Sequence, residues 1–471
     1  MKSEIKRAAI RLYEKILTFD TPKSLVFGFI IIIFFGAFLL ALPFASKNGE
    51  SVGLVNALFT STSAVCVTGL VVVNTLAHWT LFGKVVILAL IQIGGISFMS
   101  IVVVFFVLTG KRLTIKDRLL IKESYNQNSS TGMVTLVINI IKGTIIIETI
   151  GAILLFSRFY LDGDNVILAM AKGIFISISA FCNAGFDVIG GNSLMPYVGD
   201  GIVNFTVMAL IVIGGIGFAV WLDIKKISKV FKKEIRFDVF IRRLSLHTKI
   251  VLLVTSVLII SGFLFTFVVE YNNPNTLGPL SFGDKIWASM FQSVTLRTAG
   301  FNTLDLTKLT DSSKLFYILQ MFVGGSPGGT AGGVKTVTIG VVFIGIISAV
   351  RGDNNVAIFK RSIGVEVLLK SLAVLMMNIT AITVATMVLA GTTNNPSITF
   401  LDLLFESASA VGTVGLTLGV TPSLGVIGKI TIILCMFLGR LGPVTLAVAF
   451  TMRAGRRKSN IKYPMEKVIV G

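Results

Sequence analysis

Long apolar runs alternate along this chain with short segments rich in lysine and arginine. The run SLVFGFIIIIFFGAFLLALPFA at 24–45 is one example, and about 20 apolar residues are enough for a helix to span a bilayer. The pattern predicts four outer helices of this kind, near 25–45, 134–158, 248–270 and 367–390.

A shorter apolar segment follows each outer helix. These segments lie near 53–66, 167–181, 282–296 and 400–412. Since about 14 residues cannot cross a bilayer, we expect these pore helices to enter the membrane and return. Longer inner helices are predicted near 82–109, 202–222, 313–350 and 426–452. The pattern therefore predicts an all-α integral membrane protein with four linked outer helix–pore helix–inner helix repeats and eight membrane spans.

A short phrase recurs at the end of each pore helix. It reads FTSTSAVCVTGL at 59–70, FISISAFCNAGF at 175–186, FQSVTLRTAGF at 291–301 and FESASAVGTVGL at 405–416. The glycines that close it, Gly69, Gly185, Gly300 and Gly415, are separated by steps of 116, 115 and 115 residues. A fixed period indicates internal repeats. Four copies in one chain can surround a single axis with pseudo-fourfold symmetry.

The chemistry of the phrase suits a cation filter. A cation leaving water needs oxygens that replace its hydration shell, and consecutive backbone carbonyls supply them where glycine allows the necessary dihedral angles. A pore helix also points its negative carboxyl end toward the axis. One copy alone would indicate helix packing, whereas four copies at one period favour a filter. The candidate filter residues are Val67, Thr68, Gly69, Asn183, Ala184, Gly185, Thr298, Ala299, Gly300, Thr413, Val414 and Gly415.

Two features modify this picture. The pore helices carry paired hydroxyls, at Ser61 and Ser63 in the first copy, which either brace the filter loop or bond back to their own helix. The third phrase is one residue shorter than the others and carries Arg297. Equal ligation by all four loops is therefore not assured by the sequence.

The third inner segment is too long for one straight span. At 1.5 Å per residue, 313–350 would cover on the order of 50 Å, and GGSPGGTAGG at 324–333 disfavours helix. Unwound backbone at membrane depth must be buried or line a cavity, so directly below the filter this stretch could plug the pore, with a static kink as the alternative. The candidate gating residues are Gly324, Gly325, Ser326, Pro327, Gly328, Gly329, Thr330, Ala331, Gly332, Gly333, Lys335 and Arg440.

Arg440 is included because it stands where the other inner helices have glycine. The paired positions are Gly94-Gly95, Gly214-Gly215, Gly324-Gly325 and Gly439-Arg440. A charge at this depth should face a cavity or a partner. Glu148 and Glu406 are the other membrane charges of interest, and we expect Glu406 to pair locally.

The net charge of +19 invites an inference of nucleic-acid binding, which the positions of the bases argue against. Segments 1–23, 111–122, 225–249, 351–370 and 453–467 hold 30 of the 42 lysines and arginines. All five lie between repeats or at a terminus. If each repeat enters and leaves on one side, all are cytosolic, as the positive-inside rule requires.

Catalytic and metal-binding residues are scarce. Cys66, Cys182 and Cys435 lie in apolar sequence, and Cys66 and Cys182 are expected at equivalent packing positions before a repeat glycine. The two histidines are far apart. The pattern therefore indicates no enzyme, and no cofactor bound by this chain.

Together, the four phrases, GGSPGGTAGGVKT at 324–336 and GRLGP at 439–443 resemble the Trk/Ktr/HKT superfamily of potassium transporters. The resemblance covers nearly the whole chain and is strongest for the KtrB-type membrane subunit of bacterial Ktr systems. It implies a homodimer in the bacterial cell membrane, with one pore per subunit and gating by the glycine-rich loop. It also implies a cytosolic ring of nucleotide-binding KtrA-type subunits, which would carry the regulatory nucleotide, and potassium uptake that sodium can stimulate.

The expected organisation follows the repeats. A cytosolic amphipathic N-terminus at 1–23 precedes repeats at 24–110, 134–224, 247–350 and 366–453, and a cytosolic tail occupies 454–471. The alternative function is a secondary cation carrier with alternating access. Carriers usually combine inverted repeats with ionisable residues at the midplane, whereas these repeats are parallel.

Overall fold

The computed structural model describes residues 21–97, 100, 103–104, 106–107, 117–119, 121, 132–190, 193–230, 237–353, 355–393 and 395–451. Its helices are α1 (Thr21–Leu40), α2 (Leu54–Val65), α3 (Thr75–His78), α4 (Leu81–Ile96), α5 (Met133–Leu161), α6 (Val166–Phe181), α7 (Gly201–Gly215), α8 (Phe218–Val230), α9 (Phe237–Arg243), α10 (Leu246–Glu270), α11 (Phe282–Thr295), α12 (Asp311–Phe322), α13 (Thr336–Arg351), α14 (Val365–Thr392), α15 (Phe400–Gly412), α16 (Val426–Leu441) and α17 (Pro443–Thr451). The predicted N-terminal amphipathic helix and the tail at 454–471 lie outside the described residues.

The four outer helices α1, α5, α10 and α14 lie where the apolar runs predict them. Each is long and apolar enough to cross a membrane. The start of α10 is fixed by Ser245, whose hydroxyl accepts the amide proton of Thr248 at 3.2 Å, as expected of an N-cap. The outer helices are thus confirmed.

The four pore helices α2, α6, α11 and α15 contain 12 to 16 residues each. Polar residues define their first turns. Asn165 caps α6 and Ser281 caps α11, and Thr399 with Asp402 forms a capping box on α15. The short apolar segments therefore form separate helices, as predicted.

The inner helices differ from the prediction. The continuous segments expected at 82–109, 202–222 and 426–452 are interrupted, as is the segment at 313–350. α4 ends before Ser97 (φ 76°), α7 and α8 meet at Gly217 (φ 91°), and α16 and α17 meet at Gly442 (φ 83°). The α7–α8 junction bends by 92°. A left-handed residue cannot continue a right-handed helix, and each of these helices therefore ends at or just before such a residue. Of the four breaks, only the one in the third inner helix was predicted from the sequence.

These interruptions bear on the eight spans expected from sequence. In the described part of the chain, four helices can cross a membrane by length and composition, or five if α7 and α8 count as one broken span. The remaining inner helices consist of pieces too short to cross alone. The fold is almost wholly helical, with one two-residue antiparallel pair, β1 (Ala357–Ile358) and β2 (Arg361–Ser362).

The repeats pack in sequence around a buried centre. The first piece of each inner helix contacts the pore helix of the next repeat: α4 with α6, α7 with α11, α12 with α15, and α16 back to α2. Polar side chains join two of these pairs. Lys314 forms an ion pair with Asp402 at 3.1 Å, and Lys429 donates to the amide oxygen of Asn56 at 3.0 Å. The contact of α16 with α2 joins the last repeat to the first.

Candidate ion pathway

The four glycine loops share one backbone conformation. In each loop the glycine has positive φ, at 93° for Gly69, 67° for Gly185, 82° for Gly300 and 90° for Gly415. Two residues earlier, each loop also has a left-handed residue that is not glycine. These residues are Val67 (56°), Asn183 (59°), Thr298 (65°) and Thr413 (51°). Such values are uncommon outside glycine, so their recurrence at one position in all four loops is a property of the repeat.

The four glycines face one another in a closed ring. A methyl group built on Gly69 would lie 2.5 Å from the carbonyl oxygen of Ala184, one on Gly185 would lie 2.8 Å from that of Ala299, and one on Gly300 would lie 2.7 Å from that of Val414. A methyl group on Gly415 would overlap the Thr68 carbonyl oxygen. The carbonyl before each glycine therefore adjoins the glycine of another loop, and a side chain on any of the four would collide with the ring.

Hydroxyls at the ends of the pore helices brace these loops. The amide of Gly69 donates to the hydroxyl of Ser63, and the amide of Gly415 to that of Ser409, both at 3.1 Å. In the third repeat the hydroxyl of Thr295 donates to the carbonyl of Phe301 at 2.5 Å. Bracing, one of the two roles that the sequence left open, is therefore seen in three repeats.

The hydroxyls two residues nearer the helix start have a different role. Ser61, Ser177 and Ser293 donate to carbonyls of the outer helices at 2.6 to 2.7 Å. The acceptors are Ile33, Glu148 and Ile259. These bonds fix the first three pore helices against the outer helices of their own repeats.

The shorter third phrase keeps the same loop conformation. In the other repeats an amide bonds back five residues, as from Thr68 to the Ser63 carbonyl, whereas Ala299 bonds back four residues to Thr295. The missing residue is therefore absorbed between the helix and the loop. Arg297, in this turn, is buried and donates to the Gly324 carbonyl at 2.6 Å.

On one side of the ring lies a cavity of about 310 Å³ that all four repeat glycines line. The carboxyls of Asp187 and Asp305 also line it. Burial raises the pKa of Asp187 to about 6, against the lowering effect of hydrogen bonds from the Ile189 and Gly190 amides and from Ser193. A cation that approaches the ring from this side meets two carboxyl groups first.

On the other side, loop 324–333 is packed against the ring. The Thr330 hydroxyl donates to the side-chain oxygen of Asn183 at 2.9 Å, and a methyl group on Gly332 would overlap the Thr413 side chain. The loop also contacts the break in the second inner helix, where the Ser326 amide donates to the Gly215 carbonyl at 2.9 Å. The predicted gating residues from Gly324 to Gly333 therefore lie directly beneath two filter loops.

Arg440 joins this loop to the first inner helix. Its guanidinium donates to the Thr330 carbonyl and to the carbonyls of Gly94 and Gly95. Lys335 donates to the Ala331 carbonyl at 2.7 Å. Arginine has donors and no acceptor, which suits carbonyls freed by broken helices. Both cations line a cavity of about 230 Å³ with Gly328, Gly329 and Ala331.

The other charged and sulfur-bearing residues lie beside this pathway. Glu406 accepts bonds from Thr417 and Thr421 and so pairs locally, as expected. Glu148 accepts from the Gln92 amide group at 3.0 and 3.1 Å and from the Cys182 thiol at 3.9 Å. Cys66 and Cys182 are the C-caps of the first two pore helices, which confirms their equivalent positions.

Sequence reasoning missed two sets of site residues. The role of Arg297 was missed, although a charge inside an apolar repeat phrase is a usable signal. The helix breaks at Ser97, Gly217 and Gly442 were also missed. Their signal is the position just after the glycine pair in each inner helix, which becomes visible only once the repeats are aligned.

The long outer helices, the short pore helices and the buried ring of loops define a multi-pass helical membrane protein. The chain belongs to the TrkH cation transport protein family, whose model matches residues 21–460. Within the Trk/Ktr superfamily it is of the KtrB type, which confirms the resemblance found in the sequence.

Two bacterial proteins illustrate this relationship. The chain is 41% identical over 457 residues to Ktr system potassium uptake protein B of Bacillus subtilis (strain 168), covering 97% of this chain and 98% of that protein. It is 38% identical over 449 residues to potassium/sodium uptake protein NtpJ of Enterococcus hirae, covering 94% and 96%.

A solved structure shares the fold. The potassium transporter TrkH from Vibrio parahaemolyticus matches with a TM-score of 0.67 and 18% sequence identity, covering 90% of this chain and 84% of that one.

Proposed function

We propose that this chain is the membrane pore subunit of a potassium uptake system, and that it conducts in a channel-like manner. The observation that carries the proposal is the ring of Gly69, Gly185, Gly300 and Gly415, each next to a carbonyl of another loop. The names of the two bacterial relatives, which take up potassium or potassium and sodium, support the choice of ion.

In this proposal the filter is made of backbone carbonyls. Its residues are the triplets 67–69, 183–185, 298–300 and 413–415. The side chains of the two residues before each glycine are buried. Potassium is the substrate, and the carbonyls replace its hydration shell. The pore helices add the negative ends of their dipoles. With one glycine per loop, we expect a shorter filter and weaker selectivity than in tetrameric potassium channels.

We further propose eight spans with pseudo-fourfold symmetry, each broken inner helix counting as one span. Two observations support this arrangement: the contact of α16 with α2, and the same left-handed positions in all four loops. The basic segments between the repeats then lie in the cytosol with both termini, under the positive-inside rule. The cell membrane of a bacterium is the proposed location.

Loop 324–333 is the proposed gate. It lies beneath the filter, and Arg440 and Lys335 hold its carbonyls from the cavity side. A cation path through the ring would continue into this loop, so conduction requires the loop to move. Arg440 both bonds the loop and places a positive charge in the cavity, which opposes potassium until the loop moves.

Assembly and regulation follow from the KtrB type. We propose a homodimer whose cytosolic face binds a ring of KtrA-type subunits, and we place the regulatory nucleotide on those subunits. Sodium stimulation is proposed by analogy with the potassium/sodium relative. The basic segments 111–133 and 225–249 are the proposed docking surfaces, because together they carry the largest charge on that side.

Complementation tests the proposal. Cells that lack potassium uptake would express this chain, with or without a Ktr-type regulatory subunit, and growth would be followed on low potassium. We expect growth with the chain, improved by the regulatory subunit. A chain that reaches the membrane and supports no potassium-limited growth in either strain would contradict the proposed function.

A further inference from the structure

A circuit of hydrogen bonds joins two filter loops to two residues of the glycine-rich loop, Gly324 and Thr330. The Thr330 hydroxyl donates to the side-chain oxygen of Asn183 at 2.9 Å. The Asn183 amide group donates to the backbone carbonyl of Arg297 at 3.1 Å. The Arg297 guanidinium donates to the Gly324 carbonyl at 2.6 Å. The circuit therefore begins at Thr330, within loop 324–333, and returns to the first residue of that loop, Gly324.

Each filter member of this circuit lies at, or immediately before, the left-handed position of its loop. Asn183 is the left-handed residue of the second loop, and Arg297 immediately precedes Thr298, the left-handed residue of the third. Left-handed conformations persist outside glycine where surrounding contacts hold them. The side chains that bind the gate thus also hold the backbone that turns carbonyls toward the ring.

Arg297 depends strongly on its contact with the gate. Its side chain is 6% exposed, and its Nε and Nη1 atoms have no hydrogen-bond partner among the described residues. Gly324 follows the C-terminal end of α12, where the helix dipole favours a cation. If loop 324–333 withdraws, a buried guanidinium loses its acceptor, which is costly unless the arginine moves.

The circuit treats the four loops unequally. In the first loop the residue equivalent to Asn183 is Val67, which has no polar side-chain atom. In the fourth loop Thr413 meets the gate through a close approach to Gly332. Withdrawal of the gate would therefore disturb the second and third loops, while the first keeps its brace from Ser63.

Resting on the proposed filter and gate, we infer that Arg297 is a positioning residue which, with Asn183 and Thr330, couples the gate to the filter. The cation selectivity of the filter therefore depends on whether loop 324–333 is in place. Ions that bind the ring while the loop is in place are therefore selected by a filter different from the one that remains when the loop is removed.

The test is a double-variant cycle on the full chain in liposomes, with potassium and sodium fluxes measured separately. The four proteins are the parent, a deletion of 326–331, Arg297→Gln, and the combination. We expect the deletion to raise flux and to change the potassium-to-sodium ratio at least threefold. Arg297→Gln should change the ratio in the same direction, and the combination should add nothing further.

Two isosteric variants keep the inference testable if Arg297→Gln does not fold. Thr330→Val removes one hydroxyl of the circuit and should shift the ratio about twofold in the same direction. Thr336→Val is the matched control, because its hydroxyl bonds Ser326 at 2.9 Å at the base of the loop. It should leave the ratio at the parent value.

The outcomes separate this inference from the proposed function. A deletion that raises flux at an unchanged ratio overturns the coupling and leaves the gate standing. The coupling is also overturned if the deletion and Arg297→Gln change the potassium-to-sodium ratio independently, so that their effects multiply in the combined variant. Independent effects would require no shared circuit. A deletion that fails to raise flux contradicts the proposed gate itself, and with it the premise of the coupling.

Discussion

At the scale of single residues, the four filter loops share a backbone conformation rather than a set of side chains. Val67, Asn183, Thr298 and Thr413 have different chemistry, yet all adopt positive φ. For β-branched Val67 this conformation is a strained one. The strain is offset by the contacts around the loop, such as the bond from the Gly69 amide to Ser63.

The ring glycines lead to the first prediction. Replacing Gly69, Gly185, Gly300 or Gly415 singly with serine should lower potassium affinity and reduce selectivity over sodium roughly tenfold, while insertion in the membrane is retained. A left-handed conformation costs a residue with Cβ about 1–2 kcal/mol, and the added atom meets a carbonyl of another loop. Uptake kinetics with potassium and sodium in competition measure the effect.

Gly419→Ser is the matched control for these variants. Gly419 has φ 85°, and no atom lies within 4 Å of a methyl group built there. It therefore shares the backbone strain without the crowding of the ring. Unchanged kinetics in all four ring variants, or an equal defect in Gly419→Ser, would contradict a filter at the ring.

Asp187 leads to a prediction about pH. Burial raises its pKa to about 6, so the carboxyl is charged at pH 7.5 and becomes neutral as the pH falls through 6. Losing this charge in the outer cavity should raise the KM for potassium about threefold to tenfold. Uptake measured between external pH 5 and 8 should show this step in the parent.

The variants of this prediction isolate one carboxyl. Asp187→Asn should have the higher KM at every pH and lack the step near pH 6. Asp164→Asn, which removes a carboxylate paired with Lys172 at 2.7 Å and does not line the cavity, should behave as the parent does. If the pH step persists in Asp187→Asn, a group other than Asp187 is responsible for it, and the prediction is contradicted.

At the scale of elements, the broken inner helices are the main feature of the pathway. The first piece of each inner helix ends beside the glycine pair of its repeat, where close packing leaves no room for a side chain. A methyl group on Gly94, Gly214 or Gly439 would overlap a carbonyl at the end of a pore helix. The glycines of the inner helices thus serve contact with the pore helices.

The sequence predicted the elements better than their interruptions. The outer and pore helices follow from the lengths of their apolar runs, and the structure adds the capping residues, such as Ser245 and Thr399. The break at 324–333 was predictable because six glycines and Pro327 disfavour helix. The break at Ser97 was not, since one left-handed serine in an apolar run carries no propensity signal. The contact of Arg297 with Gly324 depends on tertiary structure alone.

The gate leads to a prediction at this scale. Deleting part of 326–331 should raise potassium flux and loosen its dependence on the regulatory partner, because the loop occupies the space beneath the filter. Arg440→Ala should act in the same direction with a smaller effect, since other bonds, such as that from the Gly333 amide to Gly439, also hold the loop. Flux in liposomes with and without the regulator measures both effects.

Lys429→Ala is the matched control for Arg440→Ala. Lys429 lies on the same helix and donates to Asn56 at 3.0 Å, away from the gate loop. It should leave the dependence on the regulator unchanged. A deletion that folds, reaches the membrane and conducts less than the parent would favour a structural kink over a gate.

At the scale of the whole molecule, the charge distribution and the packing support the same topology. The basic segments lie between the repeats, and the repeats contact one another in order, with α16 joining the last to the first. One end of the ring opens to a cavity with two carboxyls, and on the other side a cavity lined by Lys335 and Arg440 adjoins the loop that is packed against the ring. This asymmetry favours entry of cations from the acidic side.

The basic loops lead to a prediction about assembly. Neutral variants of 111–133 and 225–249 that retain topology should lose binding of the regulatory ring, because together these segments carry 14 of the 42 lysines and arginines. Co-purification measures the binding. The control is a variant in which the four lysines and arginines of 351–370 are neutralised. This variant should weaken binding of the regulatory ring less. Full retention of the regulator by the loop variants would place docking elsewhere.

The most direct test of the account is the current through the purified chain in a planar bilayer, with potassium on one side and sodium on the other. A filter of backbone carbonyls predicts steady currents whose reversal potential follows the potassium gradient, and a loss of that preference in Gly300→Ser. Equal permeability to potassium and sodium in the parent would contradict the filter. Transport that occurs only as coupled exchange, without steady current, would contradict a channel-like pore.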